Sequence, residues 1–118
     1  MIHLISFLRA KPGLSLGEFR THWSDTHGPL LASLPGPSSH LTHYAQYPRL
    51  NEDYDRPGSP DFDGVAWQSF ASRDELAAFL AEPDTAAKLG PDSAAFRDGA
   101  ASTWIVVGEP DVFIGRRP

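Results

Sequence analysis

The stretch Ile2-His3-Leu4-Ile5-Ser6-Phe7-Leu8-Arg9, closed by Lys11-Pro12-Gly13 and followed by Ser15-Leu16-Gly17-Glu18, decides the fold. A short β-rich apolar run ended by a Pro-Gly turn reads as a strand. Ser15 and Glu18 then form a capping box, in which a hydroxyl and a carboxylate each satisfy a backbone N–H that the first helical turn leaves unpaired. Leu16, Phe19, Trp23 and Thr26 recur at spacings of three and four, which puts one stripe of this helix against a core. Gly28-Pro29 is expected to end the helix, and Pro35-Gly36-Pro37 to make a rigid connection.

Working outward, Leu41 to Tyr47 reads as a second strand stopped by Pro48, and the polar segment from Arg49 to Asp63 as an exposed loop and candidate lid. Gly64 to Ala71 is a third strand. Ser72 and Glu75 repeat the capping signature and open a helix carrying Leu76, Phe79 and Leu80, which Pro83 interrupts. Ala86 to Phe96 is expected as two short pieces divided at Gly90-Pro91, and Trp104 to Val107 as the fourth strand. The order βαββαβ predicts a single α+β domain over residues 1–118, of the ferredoxin-like kind. Its four-stranded antiparallel sheet carries both main helices on one face. The bare face needs a cover, from a second copy or from ligand, which argues for a homodimer. Val112-Phe113-Ile114 is too apolar for a free tail and is expected on an edge strand or on the partner.

Bulk properties narrow the function. Hydrophobic residues make up 41% of 118, the mark of a chain that folds. A formal charge of -5, with Arg116-Arg117 as the longest basic run, argues against nucleic acid. The absence of cysteine removes disulfides, thiolate nucleophiles and cysteine-based metal centres. Met1 to Leu8 is preceded by no basic segment and followed by no cleavage site, so it reads as a strand rather than a leader. No apolar run approaches the roughly 20 residues of a bilayer span, and the expected location is cytoplasmic, with no membrane partner. There is no Gly-rich phosphate loop, no Gly-x-Ser-x-Gly elbow and no His-Glu-x-x-His helix, so neither cofactor nor metal is expected.

His27, four positions after Trp23, falls on the buried stripe, where an imidazole suits proton transfer near neutral pH. A cap of the helix end is its structural alternative. His22 lies beside the stripe. Strand alternation sends Ser6, Ala66 and Phe70 beneath the helices and Phe7, Trp67 and Ser69 to the other face. In the second strand it assigns Ala45 and Tyr47 to the helices and Tyr44 and Gln46 to the open face. The wall expected from Phe7, Tyr44, Gln46, Trp67 and Ser69 is aromatic with a few polar groups, suited to a small hydrophobic or aromatic metabolite. Filling the interface is what those side chains would otherwise do.

The run Leu8-Arg9-Ala10-Lys11-Pro12-Gly13-Leu14-Ser15, with Glu18-Phe19-Arg20, His22-Trp23 and His27-Gly28-Pro29-Leu30, resembles the opening of EthD-domain proteins. Weaker echoes follow in Tyr44-Ala45-Gln46, Phe62-Asp63-Gly64-Val65-Ala66 and Trp104-Ile105-Val106-Val107. The resemblance implies a dimeric α+β barrel whose two sheets face each other across a cavity. Relatives of that architecture include cofactor-free polyketide cyclases, dehydratases, lactone isomerases and monooxygenases. Similar proteins often carry an acid where this chain has Trp67, so an acid role there is missing or displaced. The expected function is a cofactor-independent enzyme on a cyclic or aromatic metabolite, with His27 in proton transfer. A non-catalytic binding or accessory protein is the alternative.

Overall fold

A computed structural model describes residues 1–116; Arg117, half of the terminal basic pair, and Pro118 lie outside the described residues. Strand β1 (Ile2–Leu8) leads through the Pro12-Gly13 turn, where Gly13 takes a φ of 91° that side chains resist, into helix α1 (Leu16–His22). The expected capping box is present in both directions: the Ser15 hydroxyl accepts from the Glu18 N–H at 3.0 Å and the Glu18 carboxylate accepts from the Ser15 N–H at 3.0 Å.

Gly28-Pro29 does not end the helical segment. The chain widens into a π turn (Trp23–His27), and the Gly28 N–H reaches back to the Trp23 carbonyl. Helices α2 (Gly28–Ser33) and α3 (Pro35–Ser38) follow. A proline ring clashes with the carbonyl four residues back in a regular helix, and the wider turn relieves that clash. The same device recurs at the second Gly-Pro pair. Helix α4 (Arg73–Ala81) stops before Pro83 as expected, but a second π turn (Thr85–Leu89) carries the chain through Gly90-Pro91 into α5 (Gly90–Phe96) rather than breaking it.

Strands β2 (His43–Pro48), β3 (Gly64–Phe70) and β4 (Thr103–Val107) complete an antiparallel sheet of order β2-β3-β1-β4, the split topology read from the sequence. Its register sets the faces. Ser6 pairs with Ala66 and Trp104, and Gln46 with Ala66, so these side chains share the helical face. His3, Phe7, Trp67 and Ser69 share the open face, as alternation predicted for β1 and β3. In β2 the expected faces are reversed. Tyr44 and Gln46 point beneath the helices, whereas Tyr47 lies on the open face against Trp67, with ring centroids 6.3 Å apart.

Two clusters fill the helical side: Leu8, Phe19, Trp23, Ala66 and Phe96, and Leu31, Leu34, Phe70, Phe79 and Leu89. Gly64 belongs to the first by necessity, because a Cβ there would stand 2.6 Å from the Trp23 ring. The segment from Arg49 to Asp63, the candidate lid, is held together by contacts of Arg49. Arg49 pairs with Asp53 at 2.8 Å, donates to the Pro60 and Phe62 carbonyls, and lies over the Tyr54 ring. Strand β4 is exposed along its whole length, and Val112-Phe113-Ile114 pairs with no strand, leaving Phe113 and Ile114 more than nine-tenths exposed.

Candidate active site

Between the two clusters, beside the uncovered strand β4, the helices and sheet leave a cavity of about 380 Å³. That lies within the size range of small-molecule sites, roughly 300–1,000 Å³. This cavity opens under the helices of the single chain. Trp67, Phe7 and Ser69, expected in the pocket wall, therefore stand on the far side of the sheet. There the indole N–H of Trp67 donates to His3 Nδ1 at 3.0 Å, and Ser69 Oγ lies 2.7 Å from the same nitrogen. Phe7 packs on Phe62.

Of the expected residues, His27 and Tyr44 line the cavity. The π turn places His27 at its wall, with the ring 5.0 Å from Phe96 and Nδ1 2.8 Å from Asp92 Oδ2. His22, one turn earlier, stacks on Phe96 and sets Nε2 2.9 Å from Asp92 Oδ1, so it stands behind the site rather than in it. Asp92 was not singled out in the sequence, being 65 residues from His27. The one local signal is an acid in the first turn after Gly90-Pro91, which echoes Gly28-Pro29 beside His27 and does not by itself mark a site.

A carboxylate between two imidazoles accepts from both. Burial works to raise the Asp92 carboxyl, but the hydrogen bonds from His27 and His22 outweigh it and hold the group below its usual 3.8. Burial dominates at His27 and lowers its pKa from 6.5; Asp92 opposes this, and the charges of Arg97 and His22 add to it. His27 is therefore a neutral imidazole at pH 7, with its proton on Nδ1 facing Asp92. Nε2 has no protein partner among the described residues.

Tyr44 is held with equal definition. The Gln46 amide donates to the Tyr44 phenol oxygen at 2.8 Å and to the Trp23 carbonyl at 2.8 Å. Gln46 thus sits behind the wall as a brace, and the phenol keeps its own proton to give. Burial raises the Tyr44 pKa above 10.0, against the opposing bond from Gln46, so it stays protonated. Gly28 makes room for this brace, since a Cβ there would meet the Gln46 amide nitrogen at 2.9 Å. The cavity presents the His27 imidazole, the Tyr44 phenol and, at its edge, the Arg97 guanidinium within a lining that is otherwise mostly apolar.

No group of three metal-ligating side chains converges among the described residues, and no helix there is long and apolar enough to cross a membrane. No curated protein matches the chain. Solved structures do. An ethyl tert-butyl ether D (EthD) family protein from Bacillus halodurans is similar at 22% identity and a TM-score of 0.69, over 93% of this chain and 99% of that one. A dimeric ferredoxin-like protein of unknown function from Bacteroides fragilis is similar at 13% and 0.64, covering 90% and 93%. The cofactor-independent oxygenase SnoaB from Streptomyces nogalater is similar at 15% and 0.59 in one of its structures, a mutant, covering 95% of each chain. The EthD domain model matches residues 11–100, and the chain belongs to the EthD-domain family.

Proposed function

We propose that the cavity binds a cyclic or aromatic carbonyl compound and that His27 relocates a proton on it, with Tyr44 holding the carbonyl oxygen. The observation that carries this reading is the 2.8 Å contact of His27 Nδ1 with Asp92 Oδ2: an ionised carboxylate only accepts, so the proton belongs on Nδ1 and Nε2 is left as a base in a cavity that Tyr44 also lines. A base at the α-carbon and a phenol at the oxygen are the two halves of enolisation. The C–H proton passes to Nε2, the electron pair moves into the C–C–O system, and Tyr44 stabilises the oxygen that gains charge. Returning the proton to another carbon isomerises the substrate; expelling a β-hydroxyl dehydrates it; adding the enolate to a second carbonyl closes a ring. His22 is a positioning residue that shares Asp92 with His27.

The likeness to a cofactor-independent oxygenase of the same fold supports a small-molecule role. A second copy of the chain belongs to this reading as well. Similar structures are described as dimeric, and the open face presents Tyr47, Ile105 and Val107 at 48%, 50% and 38% exposure. The experiment is a chemical-shift titration with 2-tetralone, a planar bicyclic ketone. Signals of His27, Tyr44, Leu89 and Phe96 should move together, and Tyr44→Phe should weaken binding. Shifts centred on Trp67 and Phe7 would place the ligand on the other side of the sheet and refute the assignment.

A further inference from the structure

Resting on the reading of this cavity as a small-molecule site, we propose that its ligand bears a carboxylate, held by the Arg97 guanidinium. Arg97 follows α5 directly. Its N–H donates to the Ser93 carbonyl at 3.0 Å, and its backbone bridges to Ala10, so the residue is fixed at the cavity's edge. Its side chain is another matter. Arg20, Arg49 and Arg56 are all engaged by oxygen acceptors, but the half-buried Arg97 guanidinium has no hydrogen bond or ion pair among the described residues.

The nearby acids are already occupied. Asp92 serves the two histidines, and the Asp98 carboxylate accepts from the Ala100 and Ala101 N–H groups at 3.1 and 3.2 Å. Burial lowers the Arg97 pKa with no anion to offset it, and its charge is felt at His27. A half-buried guanidinium whose nitrogens still reach the cavity edge is open to an anion, and its fork fits a carboxylate with two parallel N–H bonds. In a chain of net charge -5, a bound anion would complete this site. The substrate class follows: a cyclic or aromatic keto acid, its carboxylate at Arg97 and its rings on the apolar wall that Phe96 and Trp104 share.

The test compares 2-naphthoate with its uncharged analogue 2-naphthamide by calorimetric titration of the full chain at low salt. The wild type should prefer the carboxylate by about tenfold or more, the scale of one charge-assisted pair. Arg97→Gln should erase that preference while leaving naphthamide binding within about twofold, and Arg97→Lys, which keeps the charge and loses the fork, should retain part of it. An unchanged melting temperature shows that the variants fold. Equal affinity for both probes in the wild type, or a preference that survives Arg97→Gln, overturns the carboxylate inference and leaves the cavity reading standing. If neither probe binds at millimolar concentration, both fall.

Discussion

Replacing Asp92 by Asn tests how the site is built, because the change preserves shape and removes the symmetry of the acceptor. The carboxylate accepts two bonds, at 2.8 Å from His27 Nδ1 and 2.9 Å from His22 Nε2, with only 15% of its side chain exposed. An amide offers one acceptor oxygen and one NH₂, so one histidine must surrender its proton to the other ring nitrogen or leave a donor facing a donor. Losing one hydrogen bond to a charged acceptor at a mostly buried site costs about 1.5–3 kcal/mol. In a domain of this size that lowers the melting temperature by roughly 5–15 °C. The sign of the pH dependence follows from the lowered Asp92 pKa: the wild-type advantage should be complete above pH 3.8 and disappear as pH falls through the folded value. Where His27 yields, its proton moves to Nε2, the cavity loses its base, and proton transfer should drop by roughly two to four orders of magnitude. Nitrogen-15 spectra of the histidine rings read the tautomers, and calorimetry reads the melting temperature. An Asp92→Asn protein with unchanged melting and His27 still protonated on Nδ1 would refute the reasoning.

Three further outcomes are expected. Gly64→Ala drives a methyl to 2.6–2.7 Å from the Trp23 ring and should cost about 1–3 kcal/mol by overpacking, read as a lower denaturant midpoint; a neutral result would mean that Trp23 moves freely. His40 lies between Glu82 and Glu75, at 2.9 and 2.7 Å, and the hydrogen bond to Glu82, with that to Glu75, raises its pKa above 6.5. This clamp is fully present below pH 6.5 and is lost as pH rises through the raised value. The melting-temperature gap between wild type and His40→Gln should therefore be wider at pH 6 than at pH 9, and a pH-independent gap would contradict it. Light scattering at micromolar concentration should give twice 12.9 kDa, and a monomer would refute the pairing of open sheet faces.

How far the sequence discloses this arrangement varies by element. Capping residues are local, so Ser15 and Ser72 mark both main helix starts, although the Glu75 carboxylate turns to His40 instead of closing the second box. Alternation is decisive in β1 and β3, where one parity is plainly the better packed. It fails in β2 because Tyr44 and Tyr47 lie an odd number apart, so each parity buries one tyrosine. Gly-Pro reads as a stop because proline breaks a regular helix, and a π turn avoids that conflict in a way composition does not reveal. That turn decides the site, since it holds His27 at the cavity wall and presents the Trp23 carbonyl, which accepts from both the Gly28 N–H and the Gln46 amide. Asp92 and Arg97 escape a sequence reading for a simpler reason: their roles depend on α5 packing against the first π turn, a contact between distant parts of the chain.

The central claim is that Nε2 of His27 is a base in the cavity under the helices, and deuterium exchange tests it directly. Wild-type protein in D₂O with 2-tetralone should exchange the ketone's α-protons well above the buffer rate. Because burial lowers the His27 pKa from 6.5, that rate should hold as pH is lowered past 6.5 and fall only beneath it. His27→Gln should bind the ketone with similar affinity and exchange it roughly two to four orders of magnitude more slowly. Exchange that continues undiminished in His27→Gln, with the ketone bound, would contradict the account.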